Sequence, residues 1–172
     1  GTLIDNEPAD SARVEMVTGL GVYAISLFEQ DMVGVKGYDS AFLDILTSHD
    51  VRIVTKNSNA NAITHYVDAP LKDVRRVERD LGERYPNAEI SAQHLAVVSV
   101  IGRNLDGMKP LLRGLTALEA AGIQTVAAQQ TTRTVDTHFI VGRDQMETTI
   151  RVLHGALVDQ DDQTPAINRV AA

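Results

Sequence analysis

Apolar and polar positions along this chain follow two rhythms, one of period two and one of period near 3.6. The two rhythms alternate in the same order twice. Alternating or β-branched runs at residues 13–18, 22–28, 51–55 and 62–67 read as strands, as do weaker or longer runs at 88–92, 95–101, 123–127 and 135–141. Helical spacing places Tyr38, Ala41, Phe42, Ile45 and Leu46 on one face over 38–48, and Leu71, Val74, Val77 and Leu81 on one face over 71–85. The same spacing turns Met108, Leu111, Leu112, Leu115 and Leu118 inward over 108–121, and Met146, Ile150, Leu153 and Leu157 over 145–157.

Punctuation supports these boundaries. Pro70 and Pro110 sit where a helix starts and a missing donor costs nothing, and Gly122 sits where one ends. The cluster Asn57-Ser58-Asn59-Ala60-Asn61 is turn chemistry between two strands. Gly19 and Gly21 before residues 22–28, with Gly34 and Gly37 after them, read as the limits of that strand.

The order is thus β-α-β-β-α-β, repeated. Val51 and Ile123 are 72 residues apart, and His65 and His138 are 73 apart, at what read as matching strand positions. This predicts an α+β protein of two ferredoxin-like βαββαβ units, each with helices over one face of an antiparallel sheet. The second copy lacks a closing strand and the first has a surplus strand before it. An interleaved arrangement resolves both: residues 13–18 join 94–158 in the second unit, and 19–93 form an inserted first unit. Residues 1–12 read as a linker and 159–172 as a flexible acidic tail.

Composition narrows the function. Hydrophobic residues make up 44% of the 172, enough for two cores, while aromatics are only 4%, so those cores must be mainly aliphatic. A net charge of −7 argues against nucleic acid or an anionic membrane as partner. With no cysteine, thiol chemistry and disulfides are excluded, which fits a cytoplasmic setting. No run is long and apolar enough to span a bilayer, and the first residues do not resemble a secretory signal.

Candidate chemistry is sparse. His49, His65, His94, His138 and His154 show no metal-ligand spacing, and the acids at Asp159, Asp161 and Asp162 read as a solvated run. There is no nucleophile elbow, phosphate loop or dinucleotide fingerprint. Arg103 and Asn104 are adjacent beside a glycine, as a small acyl-phosphate hydrolase would need, but they read as turn residues. No catalytic residue, metal or cofactor is expected. The loop Met32-Val33-Gly34-Val35-Lys36-Gly37-Tyr38 is different. It joins a strand to a helix start, where glycines let backbone amides converge on an anion such as the carboxylate of a free amino acid. The facing strand and the residue 57–61 turn can supply oxygens for the ammonium group.

These segments carry a resemblance. Residues 28–38, then Val51-Arg52-Ile53-Val54 and Ser58-Asn59-Ala60-Asn61-Ala62-Ile63, resemble the first ACT domain of aspartate kinases. Residues 95–105, with Leu153-His154, resemble the second, and Gly1-Thr2-Leu3-Ile4 is similar to the junction with the kinase domain. The Gly37-Tyr38-Asp39 and Ser58–Asn61 segments are also similar to some ectoine-pathway members. The resemblance implies tandem ACT units that pair in a homodimer and bind lysine, threonine or both, controlling phosphorylation of aspartate by ATP in a catalytic domain absent here. It places effector contacts on Met32, Val35, Gly37, Tyr38, Asp39, Ile53, Val54, Ser58 and Asn59. Lysine-sensitive members carry an acid where Val54 stands, so this resemblance leaves two expectations: another effector, or a dimerisation module that binds none.

Overall fold

The computed structural model describes residues 12–158. The expected linker, its kinase junction and the acidic tail lie outside the described residues, except for residue 12. The elements are β1 (Arg13–Phe28), α1 (Tyr38–Ser48), β2 (Arg52–Ser58), β3 (Ala62–Asp68), α2 (Leu71–Arg84), β4 (Glu89–Arg103), α3 (Pro110–Ala120), β5 (Thr125–Gln130), β6 (Asp136–Gly142) and α4 (Met146–Leu157). Short 3-10 turns at Gln30–Met32 and Leu105–Met108 lead into α1 and α3.

The chain forms two compact units. One holds residues 21–96; the other holds, of the described residues, 12–20 and 97–158. Strand order within the first is β2-β3-β1-β4, and within the second β1-β4-β6-β5. Each is the order of a βαββαβ unit, with the first half of β1 supplying the fourth strand of the second unit. The interleaved α+β architecture expected from the repeat is therefore present.

Two expected breaks are absent. Residues 13–18 and 22–28 are one strand, and the expected runs at 88–92 and 95–101 also merge into one, which starts at Glu89. Gly19 does not end β1; it admits a helix. A Cβ on Gly19 would lie 2.8 Å from Ile150 Cδ1 and 2.9 Å from Met146 Cγ, both on α4. Gly102 serves β4 in the same way, since a Cβ there would overlap the carbonyl oxygen of Arg13 on the neighbouring β1. A glycine inside a strand marks close approach as often as it marks a turn.

The core of unit 21–96 is Ile25, Leu27, Phe42, Leu46, Ile63, Val67, Val74, Val77 and Leu81, under α1 and α2. In the other unit Val98, Val100, Leu105, Leu118, Phe139, Val141, Leu153 and Leu157 are buried. The inward stripe expected on α3 is partly wrong. Leu112 is 63% exposed and Leu115 36%, while Pro110, Gly114 and Leu118 face the core. Gly114 is required there because a Cβ would overlap the Phe139 ring.

The two histidines do not occupy matching positions. Ile53 pairs with Val67 in one hairpin and Thr125 with Val141 in the other, and both hairpins carry a bulge just beyond. The step is therefore 72 residues between β2 and β5 but 74 between β3 and β6. His65 corresponds to Phe139, and His138 to Thr64. Side-chain contacts agree: Ser26 Oγ meets Thr64 Oγ1 at 2.8 Å, and Ser99 Oγ meets His138 Nδ1 at 2.8 Å. One residue of slip moves a side chain to the opposite face of a sheet. His65 is fully buried, whereas His138 is not.

Candidate functional site

The strand-to-helix loop of unit 21–96 is shaped by two backbone positions open to glycine. Gly34 has φ of 77° and Gly37 has φ of 106°, in the left-handed region where a Cβ is strained. Between them Val35 N–H donates to the Met32 carbonyl at 2.9 Å, closing a tight turn. Gly37 is then the N-cap of α1, and no side chain caps that helix end. Ser40 Oγ donates to the Gly37 carbonyl at 3.0 Å, so it occupies an acceptor and leaves the first-turn amides open.

Across from this end lies the β2–β3 turn. Asn59 Oδ1 accepts from the amides of Asn61 at 3.0 Å and Ala62 at 2.9 Å, fixing the turn as the asparagine cluster implied. Loop and turn enclose a recess of about 220 Å³ lined by Met32, Gly34, Val35, Gly37, Tyr38, Asp39, Ser58, Asn59, Ala60 and Ile63. Tyr38 is set by stacking on Tyr85, the ring centroids 4.6 Å apart.

Seven of the nine residues expected to touch an effector line this recess: Met32, Val35, Gly37, Tyr38, Asp39, Ser58 and Asn59. Ile53 and Val54 do not. They stand at the bulge in β2, toward the other end of that strand, and Ile53 is 39% exposed. Gly34, Ala60 and Ile63 line the recess without having been singled out individually as contacts. Their signal was adjacency to the two segments that were.

A polar cluster that sequence reasoning missed stands beside it. Asp39 Oδ2 receives Lys56 Nζ at 2.5 Å. Asp39 Oδ1 lies 3.6 Å from Nε2 of the buried His65, too far for a hydrogen bond. That oxygen and both His65 ring nitrogens are buried and have no hydrogen-bond partner. The His65 ring packs edge-on against Phe42, with centroids 4.6 Å apart. Burial holds the His65 pKa below the ordinary histidine value; the Lys56 charge lowers it further and Asp39 opposes the shift. His65 is thus held as a neutral imidazole near neutral pH.

No protein-family model matches the chain. Aspartate kinase Ask_Ect of Stutzerimonas stutzeri strain A1501 is 34% identical over 169 residues, covering 97% of this chain and 36% of that protein. This match relates the chain to the aspartate kinases. Solved structures agree in fold. The regulatory subunit of aspartate kinase from Thermus flavus matches with a TM-score of 0.70 and 15% identity, over 84% of this chain and 98% of that one. Clostridium acetobutylicum aspartate kinase, an allosteric enzyme, matches with a TM-score of 0.76 and 12% identity, over 88% of this chain and 36% of that one. The chain spans about a third, 36%, of the curated relative's length. Among its described residues no helix is long and apolar enough to cross a membrane.

Proposed function

We propose that this regulatory region binds a free amino acid in the recess between residues 32–39 and 58–63, and that binding controls phosphorylation of aspartate by ATP in an associated kinase module. The observation that carries this reading is the uncapped N-terminus of α1 opening into a recess of amino-acid size. The α-carboxylate would take the first-turn amides, where the helix dipole favours an anion. Ser58 and backbone carbonyls are the oxygens available to the ammonium group. Met32, Val35 and Ile63 supply apolar walls for the side chain.

Control follows from linkage. An effector that binds one arrangement of paired units more tightly shifts the kinase toward it, and a coupling of about 1–3 kcal/mol changes affinity roughly 5–150-fold. Pairing in a homodimer supplies the two arrangements. Lysine or threonine is the effector class the family resemblance suggests. The absence of an acid at Val54 weighs against a lysine side chain being held there. Isothermal titration with lysine, threonine, methionine and aspartate tests this reading. Heat with at least one, lost in Gly37→Val, is expected; no heat with any of them overturns it.

A second reading is a dimerisation module that binds no effector. Val35, 55% exposed at the mouth of the recess, favours it by placing an apolar side chain where a polar contact would serve a ligand better. Sedimentation would then show a dimer indifferent to every amino acid in that panel.

A further inference from the structure

An aspartate in the first turn of a helix ordinarily turns its carboxylate toward the open amides and the positive end of the dipole. Asp39 is so placed, directly after Tyr38 at the start of α1, yet its carboxylate is held elsewhere. Oδ2 is held by Lys56, which reaches over from β2, and Oδ1 is buried toward His65 on β3 without accepting a hydrogen bond. Lys56 and His65 are direct partners in the β2–β3 register, so one rung of the hairpin presents both groups to Asp39.

The other unit shows that packing alone does not ask for a histidine. At the position equivalent to His65 it carries Phe139, fully buried. A phenylalanine there fills a core; a histidine with both nitrogens unpartnered brings a desolvation cost and no compensating bond. What the histidine adds is a polar edge 3.6 Å from Asp39.

We infer that Lys56, reaching from the rung it shares with His65, is a positioning residue that holds the Asp39 carboxylate off the open end of α1, so that the first-turn amides stay free for the carboxylate of an incoming amino acid. The inference rests on the reading of the recess as an effector site and adds the residue that keeps the carboxylate of Asp39 from its amides. Without Lys56, the Asp39 carboxylate would swing onto the amides of Tyr38, Asp39 and Ser40 and compete with the ligand as an internal anion. Without the Asp39 charge, there would be nothing to hold back.

Amide exchange and ring titration on the full 172-residue chain test this. Lys56 is 41% exposed, so Lys56→Met should fold. In Lys56→Met the amide protons of Tyr38, Asp39 and Ser40 should exchange about tenfold more slowly than in the parent chain, as a new cap forms. Lys56→Arg should resemble the parent. The His65 ring should titrate higher in Lys56→Met and lower in Asp39→Asn, following the charges that face it. Titration with L-threonine, L-lysine, L-methionine and L-aspartate, read on the same amides, should show binding weakened about tenfold in Lys56→Met and recovered in Lys56→Met/Asp39→Asn. Unchanged exchange at the three amides in Lys56→Met overturns the inference, whatever binds. Slowed exchange with no amino acid bound by the parent chain upholds the hold on Asp39 and overturns the effector reading instead.

Discussion

The two units build the same βαββαβ frame and fill it oppositely. In unit 21–96 the helix contributes Phe42 and the strand His65; at the equivalent positions the other unit places Gly114 on the helix and Phe139 on the strand. The phenyl ring has moved from helix to strand, and at this pair of positions the second unit has no counterpart to the imidazole. The chemistry has not been kept. With Phe42 on the helix, the strand position is freed for an imidazole beside the recess. With Phe139 on the strand, the same place is purely apolar. The helix starts differ likewise. Gly37 and Lys109 both cap their helices with positive φ, 106° and 51°, but only glycine leaves that end without a side chain.

Four measurements would break or sharpen this comparison. The largest effect is expected from Phe42→Ala, which should lower unfolding free energy by about 3–5 kcal/mol in urea melts, because α1 loses its main buried ring. A loss under about 1 kcal/mol would mean that His65 and its neighbours repack, and that bulk is not partitioned as described. Gly114→Ala should cost about 1–3 kcal/mol, since even a methyl group meets the Phe139 ring. Combining it with Phe139→Leu should recover at least about 0.5 kcal/mol relative to the sum of the single changes; strict additivity would deny the pairing.

Gly37→Ala should cost about 1–2 kcal/mol through backbone strain, while Lys109→Gly, in the milder left-handed geometry, should be neutral or slightly stabilising. Circular-dichroism melts of the two variants would show whether both helix starts are under the same constraint. The smallest effect concerns pH. Because the folded pKa of His65 lies below its unfolded value, the unfolded chain binds a proton the native chain refuses. The stability His65 allows above the ordinary histidine range is therefore lost as pH falls from that range toward the lowered folded value. His65→Phe should remove that component of the pH profile, and an unchanged urea midpoint difference between pH 7.5 and 5 would argue that His65 is not the group responsible.

Much of this was legible in the chain. The doubled strand-helix order, the start of α1 at Tyr38, the Asn59 turn and most of the recess lining can all be read from spacing and turn chemistry, because those signals are local. The glycines were ambiguous for a physical reason. The lack of a Cβ serves a turn at Gly37 and close packing at Gly19 and Gly102, and the residue type is the same in each case. The leucines of α3 misled because a 3.6 period with apolar residues on several faces does not say which face a sheet will cover. The histidine match failed because the β5–β6 turn is two residues longer than the β2–β3 turn. A repeat of constant step cannot register an insertion.

The sequence by itself determined the element order, the interleaving of the units and the glycine-shaped loop that opens α1, since hydrophobic period and backbone permissiveness are properties of neighbouring residues. Only the tertiary structure decided that Lys56 and His65 share a rung facing Asp39, that His138 points to the opposite face, and that Ile53 and Val54 stand away from the recess. Those facts depend on strand register and bulges, which are set by pairing between segments distant along the chain.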